Sequence, residues 1–399
     1  MKLGKVFCRG LLCNLQTYNF AVEMKIGFDA KRVFLNNTGL GNYSRDAIRV
    51  LSHFFPENKY FLFTPKEHQK NNVSFLNAST NTVTRTPKSF IDRFFTSYWR
   101  SKRVVKDLVA DKIDLFHGLS HELPLGIEKT NIKTVVSIHD LIFIRYPHLF
   151  PAIDRKIYAK KFKSACDRSD KIIAVSKQTK QDVIEFFGIP EEKIDVVYQG
   201  CNDVFHHVVP DKAKREVQKK YNLPEDYILS VGSIEERKNL FTILETLIEL
   251  PHQKLVVIGN GKDYKMKCLR FIDENNLSDQ VLFLTGIDSE EMAAVYQNAQ
   301  MLIYPSIFEG FGIPILEALF SKIPVISSKD GCFVEAGGSY TKYIDPLSVR
   351  EMKEAILEIQ HSTDLQNTMI SKGFEYAQNF TDRKIAANLF QVYNTLLDD

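Results

Sequence analysis

The chain has 399 residues, of which 44% are hydrophobic and 25% charged, and its formal net charge is +3 at pH 7. This length exceeds what a single hydrophobic core usually organises, so we expect two domains. The composition excludes a largely disordered chain, and the mildly basic charge suits an anionic small ligand or a membrane surface without requiring nucleic acid. The six cysteines are scattered, with no Cys-x-x-Cys pair, which indicates reduced thiols in a cytoplasmic protein.

The first 23 residues are predicted to lie outside the fold. Arg9 and Asn14 interrupt the apolar stretch that a signal peptide needs, and no apolar run in the sequence approaches the roughly 18 residues of a membrane-spanning helix. From Met24 the pattern changes to that of a buried first strand. We therefore interpret residues 1–23 as a dispensable extension or a misassigned start.

Short apolar runs alternate with helical patterns through the first half of the chain. The helical stretches include Tyr43–Phe54 and Gln178–Phe187. The predicted strands are Ile26–Phe28, Tyr60–Thr64, Leu115–His117, Thr134–His139, Lys171–Val175 and Ile194–Val197. This alternation predicts a parallel sheet with helices on both faces.

The pattern stops at a linker-like segment, residues 200–210, and then restarts with a charged helix, Lys212–Tyr221. The strands predicted after it are Tyr227–Val231, Leu255–Ile258, Val281–Leu284, Met301–Tyr304, Pro324–Ile326 and Tyr343–Ile344. We therefore predict a second doubly wound unit, with domains at residues 24–205 and 206–381. The last helix, Asp382–Leu397, carries a buried apolar stripe at helical spacing.

Ligands of open α/β sheets bind beyond the carboxyl ends of the strands, so the residues that follow each strand are the candidates for a site. After Met301–Tyr304 comes a turn that contains Glu309, Gly310 and Gly312 and leads to Glu317. The two glycines would let the backbone approach a ligand, and the two carboxylates would accept hydrogen bonds from hydroxyl groups of a sugar and a ribose. An ordinary strand-to-helix turn is the alternative.

Two adjacent cations, Arg237 and Lys238, follow the predicted strand Tyr227–Val231. Positive charge at a strand end is what a diphosphate leaving group needs, because its developing negative charge must be stabilised. A solvated charged turn is the alternative explanation.

Two glycine pairs resemble dinucleotide fingerprints without completing them. The segments Gly39–Gly41 and Gly259–Gly261 are followed by Ser44 and Tyr264 where the third glycine is required. Both are therefore weak indications of a dehydrogenase. Each is predicted instead to be a turn that admits a ligand.

His139 lies at the carboxyl end of its predicted strand, where its ring could hydrogen-bond a sugar hydroxyl, although a structural histidine is the alternative. No Asp-x-Asp pair occurs in the sequence, which removes the usual indication of a Mg²⁺ or Mn²⁺ diphosphate site. We predict no metal.

The segment Phe90–Lys106 interleaves aromatic and basic residues. A basic aromatic helix can lie on an anionic membrane. It can equally be an ordinary helix that buries its aromatic face, and the sequence favours this second interpretation.

The string at residues 304–318 resembles the signature of the retaining glycosyltransferases of family 4, a large group of GT-B fold, and the resemblance covers nearly the whole chain from Met24. The other landmarks that match in order are Gly39-Leu40-Gly41, His139-Asp140-Leu141, Val175-Ser176, Gly200, Arg237-Lys238-Asn239 and Thr285-Gly286. The resemblance implies two Rossmann-like domains with an interdomain cleft. It is strongest to mannosyl- and glucosyltransferases of cell-surface polysaccharides such as lipopolysaccharide.

The resemblance also implies roles for single residues. Glu309 would bind hydroxyls of the donor sugar, and Glu317 those of the ribose. Lys238, assisted by Arg237, would bind the diphosphate, and His139 would lie near a far hydroxyl of the sugar. The full donor-binding set is Gly39, Gly41, Ser233, Gly259, Gly261, Ile287, Gly310, Phe311, Gly312 and Glu317. The last helix would cross back to the first domain.

One departure from the family pattern concerns the diphosphate. Many members carry an arginine directly after the glycine that matches Gly232, whereas this chain has Ser233. The strength of the diphosphate clamp is therefore in question unless Arg237 substitutes for that arginine.

The predicted function is a retaining, metal-independent transfer of a hexose from a GDP- or UDP-sugar, such as GDP-mannose, to a glycan or lipid-linked acceptor. No cofactor is expected, and same-face transfer is favoured because the sequence offers no candidate for a covalent nucleophile. The protein would be cytoplasmic, with a peripheral contact on the inner membrane face through Phe90–Lys106 as an option. A nucleotide-sugar epimerase of GT-B fold and a non-catalytic sugar-nucleotide-binding protein are the alternatives.

Overall fold

The computed structural model describes residues 23–67, 73, 75–76 and 79–398. The predicted extension, residues 1–23, therefore lies outside the described part of the chain except for Glu23, whose carboxylate is 2.8 Å from the ammonium of Lys59. The described chain forms two parallel sheets with helices packed around them, as the sequence predicts.

The first sheet has seven parallel strands within the described residues. They are β1 (Lys25–Asp29), β2 (Lys59–Phe63), β3 (Thr82–Arg85), β4 (Leu115–Gly118), β5 (Lys133–Ile138), β6 (Lys171–Ala174) and β7 (Ile194–Val196). Their order is β3-β2-β1-β4-β5-β6-β7. All six predicted strands are present. Strand β3 was not predicted, because it lies half-buried at the sheet edge and lacks the apolar run of the others.

The second sheet has six parallel strands in the described residues. They are β8 (Ile228–Val231), β9 (Leu255–Ile258), β10 (Val281–Leu284), β11 (Met301–Tyr304), β12 (Val325–Ser328) and β13 (Lys342–Ile344). Their order is β10-β9-β8-β11-β12-β13. Each coincides with a predicted strand, with some ends displaced by a residue or two.

The helices of the first unit connect its strands. They are α1 (Lys31–Leu35), α2 (Gly39–Phe54), α3 (Phe90–Phe94), α4 (Thr96–Tyr98), α5 (Val104–Ala110), α6 (Ile142–Arg145), α7 (Ala152–Arg168) and α8 (Lys177–Phe187), with a π-helical turn at Trp99–Arg103 and 3₁₀ turns at Ile127–Lys129, Pro147–Leu149 and Glu191–Lys193. Helix α8 has clear limits in the sequence. The Ser176 hydroxyl accepts a hydrogen bond from the Thr179 amide at its start, and Gly188, in the left-handed conformation at φ 66°, ends it.

The helices of the second unit follow the same alternation with its strands. They are α9 (Asp211–Tyr221), α10 (Leu240–Ile248), α11 (Asp263–Glu274), α12 (Ser289–Asn298), α13 (Ile313–Phe320), α14 (Cys332–Gly337), α15 (Val349–His361) and α16 (Thr363–Ala377), with 3₁₀ turns at Asp203–His206, Glu236–Lys238, Gly338–Tyr340 and Gln378–Phe380.

The last helix, α17 (Asp382–Asp398), packs on the first unit. At its start Asp382 Oδ2 is 2.6 Å from Nη1 of Arg49 on α2. Further along, the Tyr393 hydroxyl is 2.6 Å from Nδ1 of His117 on β4. The chain therefore ends on the unit in which it began, and α17 ties the two units together.

The strand order reverses in each sheet at one point, between β1 and β4 in the first and between β8 and β11 in the second. Leu229 of β8 pairs with Leu302 of β11. Ligands of open parallel sheets bind in the crevice beyond this reversal. The segment after β8 carries Lys238 and the segment after β11 carries Glu309, so the fold brings these two candidates to one crevice.

The segment Phe90–Lys106 differs from its prediction. It is not one helix, because α3, α4 and the π-helical turn follow one another before α5 begins. Its aromatic side chains are largely exposed, with Phe90 83% and Phe94 76% accessible, while Trp99 is buried and donates from Nε1 to Asp107 at 2.7 Å. The favoured interpretation, a helix that buries its aromatic face, is therefore wrong for all of the aromatic residues except Trp99.

Candidate active site

Glu309 is at the centre of the crevice beyond β8 and β11. Its Oε2 lies 2.6 Å from Nη1 of Arg237, and its Oε1 lies 2.5 Å from Nζ of Lys238. The Tyr304 hydroxyl, at the end of β11, donates to Oε1 at 3.1 Å and accepts from Lys238 Nζ at 2.6 Å. Only 13% of the Glu309 side chain is exposed. The predicted sugar-binding carboxylate and the two predicted diphosphate-binding cations thus form one cluster.

The cluster fixes the charge of Glu309. Burial alone would raise the pKa of this carboxyl, but Lys238 and Arg237 outweigh that effect and hold the pKa at about 2. Glu309 is therefore a carboxylate at any physiological pH. In that form it accepts hydrogen bonds only, which suits the hydroxyl groups of a sugar.

Arg237 has further partners on its own side of the cleft. Its Nη1 donates to the Phe308 carbonyl at 2.7 Å, and its Nη2 donates to Glu235 at 2.9 Å. The Ser233 hydroxyl donates to the same carboxylate oxygen of Glu235 at 2.5 Å. In this structure Arg237 stabilises the turn that contains Glu309. Its predicted contact with a diphosphate, and that of Ser233, stay predictions.

Glu317 lies on α13 and is 9% exposed. Its Oε2 accepts a hydrogen bond of 2.6 Å from the Tyr296 hydroxyl on α12. Burial raises the pKa of Glu317 to about 7, against the lowering effect of the Tyr296 hydrogen bond. The residue borders a cavity of about 580 Å³ between the two units, which is separate from the Glu309 cluster.

Helix α2 of the first unit lines the same cavity with Asn42, Arg45, Asp46 and Arg49. Burial raises the pKa of Asp46 to about 6, and Arg49, 3.3 Å away, opposes this rise. Charged groups from both units therefore face the space beside Glu317. That position suits a polar ligand held between the units.

His139 directly follows β5 and is almost completely buried. Its Nε2 is 2.9 Å from the Leu119 carbonyl oxygen, which assigns the ring proton to Nε2 and leaves Nδ1 as an acceptor. Burial lowers the pKa of His139 to about 4, although the Leu119 carbonyl opposes this. The ring is therefore neutral at physiological pH and can accept a hydrogen bond from a hydroxyl group.

Gly310 brings the two units into contact across the cleft. A Cβ atom at this position would lie 1.9 Å from the carbonyl oxygen of His139. The Thr179 hydroxyl lies 3.1 Å from that oxygen and 3.4 Å from the Gly310 carbonyl oxygen. The space that a side chain at Gly310 would need is thus occupied by the backbone of the other unit, and the ligand contact predicted for this glycine stays a prediction.

A second contact between the units lies nearby. The Glu335 carboxylate accepts hydrogen bonds from the backbone amides of Lys177 at 2.8 Å and Gln178 at 3.2 Å. A side chain of the second unit thus satisfies free amides at the start of helix α8 in the first unit. The carboxyl edges of the two sheets consequently face each other in a closed arrangement.

Gly39 and Gly41 lie in the first turn of α2 and not in an open turn, which corrects the prediction. A Cβ atom on Gly41 would meet the Asn36 carbonyl oxygen at 2.0 Å, whereas nothing lies within 4 Å of one on Gly39. Gly41 is therefore required by packing. Gly39 has no structural requirement for glycine in this arrangement.

Gly259 and Gly261 are also required by packing. A Cβ atom on Gly259 would lie 1.9 Å from the Gly232 carbonyl oxygen, and one on Gly261 would lie 2.2 Å from the Ile234 carbonyl oxygen. The segments after β8 and β9 thus touch through their backbones. The ligand contacts predicted for these glycines stay predictions.

The remaining predicted donor-binding residues surround the start of α13. Phe311 is buried and stacks on Tyr198, so only its backbone can face a ligand. Gly312 precedes the helix, and no side chain caps it. The Ile313 amide can therefore serve an anionic group, whereas Pro314 has no amide hydrogen and the Ile315 amide donates to the Gly312 carbonyl at 3.0 Å. Ile287 is half-buried in the turn between β10 and α12.

Several polar partners in the cleft carry no distinct signal in the sequence. Tyr304 and Tyr296 hold the two glutamates, but each is also an ordinary core residue of its strand or helix. Arg45 and Asp46 lie three and four residues after Asn42, so a helix that begins at Gly39 places all three on one face. Within the described residues, no group of three or more His, Cys, Asp or Glu side chains is arranged to hold a metal ion.

Two doubly wound parallel sheets whose carboxyl edges meet at one cleft, crossed by a final helix, define the GT-B fold. Two family models match the chain, Glycosyltransferase Family 4 over residues 57–204 and Glycosyl transferases group 1 over residues 211–376. The chain therefore belongs to the GT-B glycosyltransferases that join these two domains, as the resemblance implies. Enzymes of this type move a sugar from a nucleotide sugar.

Two named relatives and one solved structure illustrate what the chain is similar to. The O-antigen chain mannosyltransferase RfbU of Salmonella typhimurium is 28% identical over 269 residues, 67% of this chain and 70% of that protein. O-antigen chain mannosyltransferase B of Escherichia coli is 23% identical over 391 residues, 94% of this chain and all of that protein. The structure of HepE from Anabaena in complex with UDP-glucose superposes with a TM-score of 0.72 at 16% identity, over 94% of this chain and all of that one.

Proposed function

We propose that this protein is a retaining, metal-independent hexosyltransferase that uses a nucleoside diphosphate sugar and acts on a glycan or lipid-linked acceptor. The observation that carries the proposal is the position of Glu309 beyond the strand reversal of the second sheet, between Arg237 and Lys238. A carboxylate and two cations at one point match a donor with sugar hydroxyls next to a diphosphate.

The proposed mechanism uses the charges of this cluster in turn. Glu309 accepts hydrogen bonds from hydroxyls of the donor sugar and fixes its orientation. Lys238 and the Ile313 amide at the start of α13 stabilise the negative charge that develops on the diphosphate as the bond to the sugar breaks. The acceptor hydroxyl attacks from the same face, and the leaving diphosphate takes its proton.

The neutral ring of His139 completes the donor contact in this proposal. Its Nδ1 accepts from a sugar hydroxyl on the side of the first unit, because Nε2 is committed to the Leu119 carbonyl. Glu317 and the residues of α2 that line the neighbouring cavity would hold the ribose of the same donor.

We propose GDP-mannose as the first donor to test, since the two sequence relatives are named as mannosyltransferases of the O-antigen chain. UDP-glucose is the second, because the structurally similar HepE was solved with it. The acceptor by the same reasoning is a cell-surface polysaccharide or its lipid-linked precursor. Cytoplasmic action fits the free thiols of the four described cysteines, Cys166, Cys201, Cys268 and Cys332.

The test is a transfer assay with each donor and a lipid-linked glycan fraction, in the presence and absence of EDTA. We expect a glycosylated product whose new bond keeps the anomeric configuration of the donor, with EDTA making no difference. An inverted product or loss of activity in EDTA would overturn the corresponding part of the proposal. Incubation with donor alone tests the epimerase alternative, which the comparisons do not support: a new sugar epimer without acceptor would establish it.

We also propose that the exposed segment Phe90–Lys106 touches an anionic membrane. The stretch from the start of α3 to the end of α4 exposes four aromatic side chains, and Arg93, Lys102 and Lys106 of the segment are also exposed. The start of α7 adds exposed Ile153 and Ile157. None of the helices in the described part of the chain combines the length and the apolar composition that a membrane span needs. Contact would therefore be at the surface of the bilayer.

Vesicle sedimentation tests this contact. The double variant Phe90→Ser/Phe94→Ser should bind phosphatidylglycerol-containing vesicles at least tenfold more weakly than the unaltered protein. Leu347→Ser, which removes an exposed apolar side chain from the second unit, is the matched control and should bind normally. Equal binding by all three proteins would contradict the contact.

A further inference from the structure

A chain of hydrogen bonds runs through the first unit and ends beside His139. The Tyr393 hydroxyl on α17 is 2.6 Å from His117 Nδ1, and His117 Nε2 is 2.8 Å from Ser137 Oγ. Ser137 Oγ is in turn 2.7 Å from the Tyr43 hydroxyl on α2. The ring of Tyr43 packs edge-on against the His139 ring, with 4.5 Å between their centres.

All members of this chain are buried, and they come from four different elements. Ser137 and His117 lie on the neighbouring strands β5 and β4, while Tyr43 and Tyr393 approach from α2 and α17. A buried polar group has no access to water. Losing its hydrogen-bond partner therefore leaves it unsatisfied, and its full desolvation penalty remains. These hydrogen bonds therefore link the position of α17 to that of His139.

These hydrogen bonds are coupled to one another through the ring of His117. Burial lowers the pKa of His117 to about 3, so its ring is neutral and carries one proton. Both ring nitrogens are engaged, hence one donates and the other accepts. Removing a hydroxyl at the Tyr393 end therefore leaves His117 with an unmatched ring nitrogen and alters the hydrogen bonds as far as Tyr43.

We propose that Tyr43, Ser137, His117 and Tyr393 are positioning residues that hold the His139 ring, and with it the first turn of α2, in the arrangement needed for transfer. This inference rests on the proposed function, in which His139 contacts the donor sugar. It assigns α17 a role in catalysis as well as in joining the two units. None of the four residues needs to touch the substrate.

Three conservative variants test the proposal by kinetics. Tyr393→Phe, Ser137→Ala and Tyr43→Phe each remove one hydroxyl and keep the rest of the side chain. We expect kcat to fall about five- to tenfold in each, since one hydrogen bond of ordinary strength is lost. The Kd for the nucleoside diphosphate, which lacks the sugar, should stay within twofold of the original value.

Tyr60→Phe is the matched control. Tyr60 is also fully buried in the first unit, and its hydroxyl donates to the Leu51 and Phe55 carbonyls without joining the chain to His139. We expect this variant to lose thermal stability but to keep kcat. If it loses as much kcat as Tyr393→Phe does, the losses report general destabilisation and the proposal is overturned.

A double-mutant cycle adds a second readout. In the His139→Asn background, Tyr393→Phe should change kcat by less than twofold, because the ring that it positions is gone. If instead the two losses multiply, Tyr393 acts independently of His139 and the proposal fails.

A spectroscopic readout separates failure of this inference from failure of the proposed function. With ¹⁵N-labelled histidine, the His139 signals should show the Nε2-protonated form and should shift in Tyr393→Phe but not in Tyr60→Phe. This measurement needs no activity. Unshifted signals in Tyr393→Phe would overturn the positioning role, whereas an inactive unaltered protein with the expected shifts would count against the proposed function alone.

Discussion

The ammonium of Lys238 lies 2.5 Å from Oε1 of Glu309, and the Tyr304 hydroxyl bridges the two groups. A cation that the proposed mechanism assigns to the diphosphate thus neutralises the carboxylate that it assigns to the sugar. Since Arg237 contacts the other carboxylate oxygen of Glu309 and also the Glu235 carboxylate, the pair is part of a cluster of two cations and two carboxylates with no net charge. The two cations keep Glu309 ionised, and in the proposed mechanism Lys238 also meets the diphosphate of the donor.

Replacing Glu309 should affect sugar transfer and diphosphate binding differently. We expect Glu309→Gln to lower the transfer rate about 100-fold, because a charged acceptor of the sugar hydroxyls is lost. Affinity for the free nucleoside diphosphate should not fall and should rise, since Arg237 and Lys238 lose their carboxylate. Rates from the transfer assay and Kd from calorimetry measure the two effects.

The control for this variant is Glu354→Gln, which removes an exposed carboxylate from the second unit. It should leave both quantities unchanged. Weaker nucleoside diphosphate binding by Glu309→Gln would show that the two cations act on the donor only when Glu309 orders them, contrary to the proposed division of roles.

The pKa of Glu317, raised by burial to about 7, predicts a pH dependence of donor binding. Ribose hydroxyls need the ionised carboxylate as acceptor, so donor affinity should rise with pH and level off above about pH 7, by at most tenfold per pH unit. A nucleotide sugar is the right probe, since its diphosphate does not titrate in this range. Glu317→Gln should bind more weakly and without this pH dependence. A persisting dependence would assign it to another group, such as Asp46.

The same raised pKa lowers the free energy of unfolding as pH rises, whereas donor binding strengthens as pH rises. The folded state holds the Glu317 proton between the ordinary carboxyl pKa of about 4.5 and about 7, whereas the unfolded state releases it. The contribution of this group to the free energy of unfolding therefore falls as pH rises through that window. Urea unfolding should show Glu317→Gln gaining stability relative to the unaltered protein from pH 5 to pH 8, and a constant difference would contradict the shift.

Variants of the two glycines in the first turn of α2 test whether each glycine is needed for packing or for ligand binding. Gly41→Ala places a Cβ atom 2.0 Å from the Asn36 carbonyl oxygen, so we expect a loss of about 1–3 kcal/mol in the free energy of unfolding. Gly39→Ala meets no atom within 4 Å and should leave stability nearly unchanged. If Gly39 approaches the donor phosphates, the same variant should weaken donor binding about tenfold. Normal donor binding would remove Gly39 from the site.

Gly310→Ala tests the closed cleft. Its Cβ atom would collide with the His139 carbonyl oxygen, a backbone atom that cannot move alone, so the two units must separate. We expect kcat to fall at least tenfold while the melting temperature and the Kd of the nucleoside diphosphate change little, because neither core is touched. An unchanged kcat would mean that the closed arrangement is not the one in which transfer occurs.

The fold was largely predictable from the sequence because both sheets are parallel and covered, which makes their strands short apolar runs. The exception, β3, pairs with β2 alone among the described strands. Its threonines and valine are typical of strands, but Val83 is its one apolar residue, so it lacks the apolar run that marks the others. The prediction for the segment Phe90–Lys106 was wrong for a different reason. Helical spacing of aromatic residues predicts that they share a face, but it does not say whether another element covers that face.

The sequence indicates the candidate residues of the site one by one but not their arrangement. Strand ends indicated Lys238 and Glu309 separately, whereas their ion pair depends on β8 lying next to β11, a relationship that no local pattern contains. Gly310 was predicted to approach a ligand, and the structure shows a close backbone contact at this position. Its neighbour is the carbonyl of His139 in the other unit, and this follows only from how the two units face each other.

Thermal denaturation of the protein with a panel of nucleotide sugars tests the central claim most directly. A donor that binds only the folded protein raises the melting temperature by mass action. We predict that GDP-mannose, UDP-glucose or a related donor raises it, and that the part of the increase due to the sugar is lost in Glu309→Ala. A melting temperature unchanged by every nucleotide sugar at millimolar concentration would contradict the account.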